Sequence, residues 1–359
     1  MENKQRLLSL DLVRGITVAG MILVNNGYTG SFEALQHAKW NGLSLSDFVF
    51  PFFLFIMGVS MYLAFSKRGF TLTGKTFWKV VKRSALLLIL GVAINWLDMA
   101  IWGNGLNLQE LRFWAVLQRI AICYFVVSLF VLTVNHRFVL PTTVLLLIAY
   151  AIILFLGNGY SQEASDNILH TVDAYIFGEA HLYHKSAVDP EGLVSTMSSL
   201  ANVLLGFYCG MKIHKANNVR DKLVSLFFIG SIIVAAGFIV NFAMPVNKRI
   251  WSPSFALATS GACCLLLAVM MKLVDADKKK GAWVTFFNVF GVNALALYIS
   301  SELMAIIFGR IGVSEWIYNA LAAVIHVPQL TSLAYAIVFV LMNFAIGYPL
   351  WRKRIYIKL

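Results

Sequence analysis

His37, Asn41 and Asp47 lie in the run His-Ala-Lys-Trp-Asn-Gly-Leu-Ser-Leu-Ser-Asp, which puts an imidazole, an amide and a carboxylate into one short polar connection. An imidazole accepts and returns a proton near neutral pH, so the run suits a general base or a nucleophile. The carboxylate suits orienting the ring and supporting its cationic form. Asn25 and Asn26 stand just upstream and offer amides for a developing oxyanion. Their plainer reading is a helix cap, because Gly27 follows and Asn tolerates the left-handed conformation. Asp11 and Arg14, spaced i and i+3, share a helix face and read equally well as a buried structural ion pair. Arg14, with Gln118 and Arg119, is a candidate for meeting the phosphates of a cofactor. Glu302 is a further carboxylate inside an apolar run, where ionisable groups usually face a polar interior. Lys248 and Arg249, beside Trp251, suit an anionic or sugar ligand, with interfacial anchoring as the alternative.

These residues must be positioned by membrane helices. The chain of 359 residues is 59% hydrophobic and only 13% charged, outside the balance of a soluble domain. Apolar runs at 7–25, 48–66, 80–101, 113–134, 138–156, 194–212, 222–243, 254–272, 284–308 and 331–351 reach or approach the length needed to cross a bilayer. The expected fold is all-α: a polytopic integral membrane helical bundle of about ten transmembrane helices, one domain over 1–359. The first run carries Asp11 and Arg14 and lacks a clear cleavage site, so it is not read as a signal peptide.

The net charge of +12 is unevenly spread. With the N-terminus inside, 21 of the 29 Lys and Arg fall on inner segments, among them Lys67, Arg68, Arg137, Lys215, Lys278 and Arg352. That asymmetry predicts both termini in the cytoplasm and puts His37 on the outer side. Basic inner loops facing anionic lipid explain the charge without a nucleic-acid partner. Cys123, Cys209, Cys263 and Cys264 all fall within apolar runs and read as small core residues. His181 and His184, at i and i+3, lack a third ligand, and no metal site is expected. Gly206 and Gly210 form a small-residue face suited to packing within one chain or between the two copies of a homodimer.

A longer set of motifs carries a family resemblance. Asp11-Leu-Val-Arg14-Gly15, His37-Ala-Lys-Trp40-Asn41-Gly42-Leu43, Asp47-Phe-Val-Phe50-Pro51 and Phe55-Ile-Met-Gly58 resemble the heparan-α-glucosaminide N-acetyltransferase family and its bacterial relatives. Leu111-Arg112, Val116 to Ala121, Asp189 to Leu193, Asn247-Lys248-Arg249 with Trp251, Asn293 to Ala296 and Ser301-Glu302-Leu303 extend it along nearly the whole chain. The His37–Pro51 stretch is the specific part; Asp-x-x-Arg-Gly also looks like other membrane acyltransferases.

The resemblance implies transfer of an acetyl group from cytosolic acetyl-CoA to the amino group of a glucosamine-type sugar across a bacterial inner membrane. It implies a catalytic His37 and a functional Asn, for which Asn25 and Asn26 compete. Trp40, Asn41, Glu191 and Glu302, within the matched motifs, are the candidates for acceptor binding alongside Lys248 and Arg249. The rival activities are O-acetylation of a cell-envelope glycan and, in a different class, transport of a sugar or lipid intermediate. Broken helices in matching halves would favour the transporter.

Overall fold

The computed structural model describes residues 7–103, 108–183 and 186–357. Among these residues the chain is a bundle of helices with no strand. Eight helices are long and apolar enough to cross a membrane: α1 (Leu8–Asn25), α2 (Val49–Ser66), α3 (Gly74–Trp102), α4 (Val116–Thr133), α5 (Val139–Leu156), α8 (Val219–Asn241), α9 (Pro253–Met270) and α13 (Pro328–Arg352). The protein is therefore a multi-pass membrane protein. Two shorter helices, α6 (Ile168–Phe177) and α12 (Val313–Ile325), complete the set with α7 (Thr196–Lys215), α10 (Ala282–Val292) and α11 (Ala294–Arg310).

Two of the ten expected spans are not simple straight apolar helices. The run 284–308 is not one straight span. It breaks at Asn293 into α10 and α11, which are bent by 83°. The Asn293 amide donates to the carbonyl of Ile355 at 3.0 Å and accepts from the Ile357 amide at 2.9 Å, so the C-terminal segment ties the break. Irregular backbone at membrane depth is tolerated where protein covers it. Counting the bent pair as one crossing gives nine. The run 194–212 forms α7, whose Ser198, Ser199 and Asn202 lower its apolar character. It is a buried central helix packed against α2, α5 and α9, and it runs through the bundle from the 189–195 loop to the basic end.

Close backbone approach organises the centre. A Cβ at Gly206 would lie 1.9 Å from the Phe55 carbonyl oxygen, and one at Gly58 would lie 2.0 Å from that of Val203. The small face on α7 thus serves α2 of the same chain, which settles the use left open by the sequence. Gly15 and Gly291 do the same for α1 and α10, each meeting a backbone oxygen within 2 Å. By contrast α3 and α8 are only 17% buried over their apolar windows, as lipid-facing helices should be. The four cysteines are free and buried, with Cys209 Sγ 3.6 Å from Cys264 Sγ.

The connections 26–48, 157–195 and 242–252 gather at one end of the bundle, joined by contacts described below. The basic connections after α2, α4 and α7 gather at the other. Gly206→Leu should separate α2 from α7 and cost about 3 kcal/mol or more. A lowered thermal midpoint of the detergent-solubilised variant is the expected reading.

Candidate functional site

The connection between α1 and α2 is wrapped around one carboxylate. Asp47 is fully buried and accepts from the Ala38 amide at 3.3 Å, the Ser44 amide at 3.0 Å and the Ser44 hydroxyl at 2.8 Å through Oδ2. Its Oδ1 lies 2.9 Å from Nδ1 of His37. Ser46 adds a bond to the Gln36 carbonyl at 2.8 Å. The Ser-x-x-Asp spacing from Ser44 to Asp47 is a capping box at the head of α2. A carboxylate at Nδ1 favours the tautomer with its proton there, which puts the ring's lone pair on Nε2. The His37 side chain is 38% exposed, so the ring stands on a buried anchor and faces the open end of the bundle.

The connection between α8 and α9 closes on the same ring. Asn41 and Asn247 pair as an isolated antiparallel bridge, with Gly42 donating to the Val246 carbonyl at 2.8 Å and the Asn247 amide to Asn41 Oδ1 at 3.1 Å. This pairing brings Lys248 Nζ to 2.8 Å from His37 Nδ1 and 3.5 Å from Asp47 Oδ1. Lys248 is buried and Arg249 is not, so the two cations do not present a common face. Burial pushes the Lys248 ammonium below the usual lysine range, against the opposing pull of Asp47 and Glu191. Trp40 donates to the Tyr160 carbonyl at 3.2 Å, linking 26–48 to 157–195.

A second charged group adjoins the first. Arg112 Nε donates to Asp189 Oδ2 at 3.1 Å, and its Nη2 donates to Glu191 at 2.8 Å. Burial opposes the Glu191 carboxylate, but the Arg112 and Arg119 guanidinium charges outweigh it and hold Glu191 below its ordinary value. Arg119 is fully buried, donates to the Gly192 carbonyl at 2.9 Å and to the Ser195 hydroxyl, and lies 4.8 Å over the Trp251 ring. Its Nε and Nη1, and both amide atoms of neighbouring Gln118, are buried without a hydrogen-bond partner. Glu302 on α11 hydrogen-bonds Asn25 and Tyr298, with Asp98 nearby.

The structure thus brings together His37, Asp47, Lys248, Asn41 and Trp40, and sets Glu191, Glu302, Asn25 and Arg119 around them. It does not add Arg14. That guanidinium pairs with Asp11 at 2.9 Å and bonds Ser60 at 2.7 Å and the Gly291 carbonyl at 3.2 Å, where α1, α2 and α10 meet. Asn26 is buried and donates to the Ile22 carbonyl at 2.8 Å, the capping role. His181 Nδ1 lies 2.6 Å from the Leu111 carbonyl oxygen, while His184 falls outside the described residues. No group of three metal-ligating side chains occurs among the described residues. Arg112, Asp189, Tyr298 and Asp173 adjoin the site without standing out as site residues in the amino-acid sequence. The paired spacing Asp189-x-Glu191 was the available signal.

At the opposite end a cavity of about 570 Å³ is lined by Tyr62, Phe70, His136, Arg137 and Lys215, among others. The Phe70 and His136 rings are 4.3 Å apart, and Tyr62 and Phe207 are 5.0 Å apart. Aromatic faces beside cations suit an anionic aromatic ligand.

Residues 6–172 match the family described as heparan-alpha-glucosaminide N-acetyltransferase, catalytic. The chain is 30% identical over 422 aligned residues to the heparan-alpha-glucosaminide N-acetyltransferase of Homo sapiens, a match covering 99% of this chain and 60% of that protein. It is 27% identical over 359 aligned residues to the protein of the same name from Mus musculus, covering 83% of this chain and 54% of that one. The chain therefore spans little more than half the length of these relatives. The resemblance read from the motifs is borne out.

Asp173 supports the loop that carries Asp189 and Glu191. Its Oδ1 accepts from the Leu193 amide at 3.0 Å, and burial raises its carboxyl from 3.8 to about 6. A raised acid favours the folded state below pH 4, and that contribution is lost as the pH climbs through about 6. The Asp173 contribution to stability should fall across this window by no more than about 3 kcal/mol, and Asp173→Asn should remove that part of the pH dependence. Thermal midpoints from pH 4 to pH 7 check both.

Proposed function

We infer that this chain, a relative of the heparan-alpha-glucosaminide N-acetyltransferases, moves an acetyl group from acetyl-CoA to the amine of a glucosamine-type sugar. The observation that carries this reading is the half-exposed His37 ring held on the buried Asp47 carboxylate, beside a cation and a cluster of acids. In this reading the ring end of the bundle faces outside and the basic end faces the cytoplasm of a bacterial inner membrane, an orientation that the charge asymmetry supports.

Each group then has a task. The nucleotide part of acetyl-CoA docks in the cavity lined by His136, Arg137 and Lys215. The pantetheine runs between the helices, where the partnerless polar atoms of Gln118 and Arg119 meet its amides. The thioester reaches His37. A sugar amine is cationic in water and enters among Glu302, Glu191 and Trp40. Asn25 and Tyr298 hold the Glu302 carboxylate in place. His37 Nε2 takes the proton that the amine must lose, or first carries the acetyl group itself; both routes use the same tautomer.

His37→Ala should abolish transfer from labelled acetyl-CoA to glucosamine and leave the melting temperature and acetyl-CoA binding near those of the wild type. Normal turnover by this variant would remove His37 from the mechanism. Glu302→Gln should raise the KM for glucosamine by about 10–100-fold, the worth of a charged hydrogen bond. A hydroxyl-only sugar accepted as well as glucosamine marks an O-acetyltransferase instead. Sugar uptake into liposomes without acetyl-CoA marks a transporter.

A further inference from the structure

Lys248 has no part in the scheme above, yet it is the cation nearest the reacting ring. Its Nζ lies 2.8 Å from Nδ1 and 3.1 Å from Nε2 of His37. The side chain is 11% exposed. A buried ammonium is costly unless a partner or a task compensates it. Asp47, 3.5 Å away, is an incomplete partner, because its two oxygens already receive Ala38, Ser44 and His37.

The backbone holds this lysine firmly. The Asn41–Asn247 bridge precedes it, and the Trp251 amide returns to the Lys248 carbonyl at 3.0 Å. The Trp251 indole is in turn fixed to Asn202 Oδ1 at 2.8 Å. Meanwhile the amides that the sequence offered for an oxyanion are engaged elsewhere: Asn25 on Glu302, and Asn26 on the Ile22 carbonyl. Acyl transfer develops negative charge on the carbonyl oxygen, and a donor must stand about 3 Å from that oxygen while the base stands about 3 Å from the attacking atom. Lys248 Nζ and His37 Nε2, 3.1 Å apart at rest, are near enough for one acetyl group and its attacking amine to reach both.

Resting on the N-acetyltransferase reading, we propose that Lys248 is a further catalytic residue whose ammonium binds the thioester carbonyl oxygen and the oxyanion that forms on it. The sugar ammonium first gives up one proton to water, and the lone pair so freed forms the new C–N bond while the carbonyl π pair moves onto oxygen, where Lys248 donates its hydrogen bond. The pair then returns, the C–S bond breaks and coenzyme A leaves as thiolate. The proton lost by the amine passes to His37 Nε2 and from there to the thiolate sulfur. At rest the same ammonium covers Nε2, and an arriving thioester draws it away. The charged and titratable groups facing Lys248 are His37, Asp47, Glu191 and Arg249. Burial lowers the lysine's ordinary value, so this ammonium is the one that loses its charge early on the alkaline side.

The test uses the purified full chain with labelled acetyl-CoA and glucosamine, read as kcat, KM, pH profile and melting temperature. Lys248→Met should lower kcat by roughly 100–1000-fold, as loss of one oxyanion donor does, with both KM values little changed. Lys248→Arg should keep much of the rate and shift its alkaline limb to higher pH, because a guanidinium stays charged there. Wild-type kcat in Lys248→Met overturns the proposal, and so does an unmoved alkaline limb in Lys248→Arg. The arginine variant decides alone if the methionine variant does not fold. Turnover by the wild type with an unaffected Lys248→Met leaves the acetyltransferase reading standing; no turnover by the wild type ends both.

Discussion

The Asp47 carboxylate is the contact on which the rest of this end of the molecule depends. It is buried between two membrane helices, where an unpaired charge is expensive, and it answers that cost by gathering donors from 37–44. Those donors are two backbone amides, a hydroxyl and an imidazole. The loop therefore closes on a fixed radius, and the His37 ring is held at Nδ1. A capping box normally steadies a helix start; here the same carboxylate also orients a reactive ring.

The second layer of order comes from distant parts of the chain meeting this loop. The bridge between Asn41 and Asn247 is a small contact, yet it fixes where Lys248 falls. Arg119 works similarly on the other side, holding the Gly192 carbonyl and Ser195 while supporting the Trp251 ring. Tyr150 donates to the Ile250 carbonyl and Tyr160 to that of Pro245, so the long 157–195 connection and α5 brace the lysine loop. The polar end is a set of loops tied to one another by hydrogen bonds between buried polar groups, which stiffens them.

Beneath that end, glycines let α1 meet α10 and α2 meet α7 at backbone contact. Lipid offers little hydrophobic drive for helix association, so close van der Waals packing must supply it. The break at Asn293 fits the same economy of space: α10 lies on α1, and α11 turns by 83° to carry Tyr298 and Glu302 toward Asn25. The spacing of Tyr298 and Glu302, at i and i+4, puts both on one face of α11.

Much of this was readable from the amino acids alone. Hydropathy located the helices, because crossing a bilayer demands about 20 apolar residues whatever the tertiary fold. The composition of 37–47 marked an imidazole with a carboxylate in reach, since that proximity is local in the chain. What lay beyond sequence was everything set by long-range contact. Lys248 and Arg249 are adjacent and alike, and only the pairing of Asn247 with Asn41 decides that the first turns inward. Arg14 and Arg119 each read as a charge in an apolar helix; packing makes one a tie between α1, α2 and α10 and the other a support for the 189–195 loop. Asn293 bears no helix-breaking signature as strong as proline, and the C-terminal segment that bonds it at the bend lies 62 to 64 residues further along the chain. Periodicity and charge are properties of a segment, whereas the direction a buried polar group takes is settled by the partner that satisfies it, and that partner stands 211 residues away for Lys248 and 277 for Arg14.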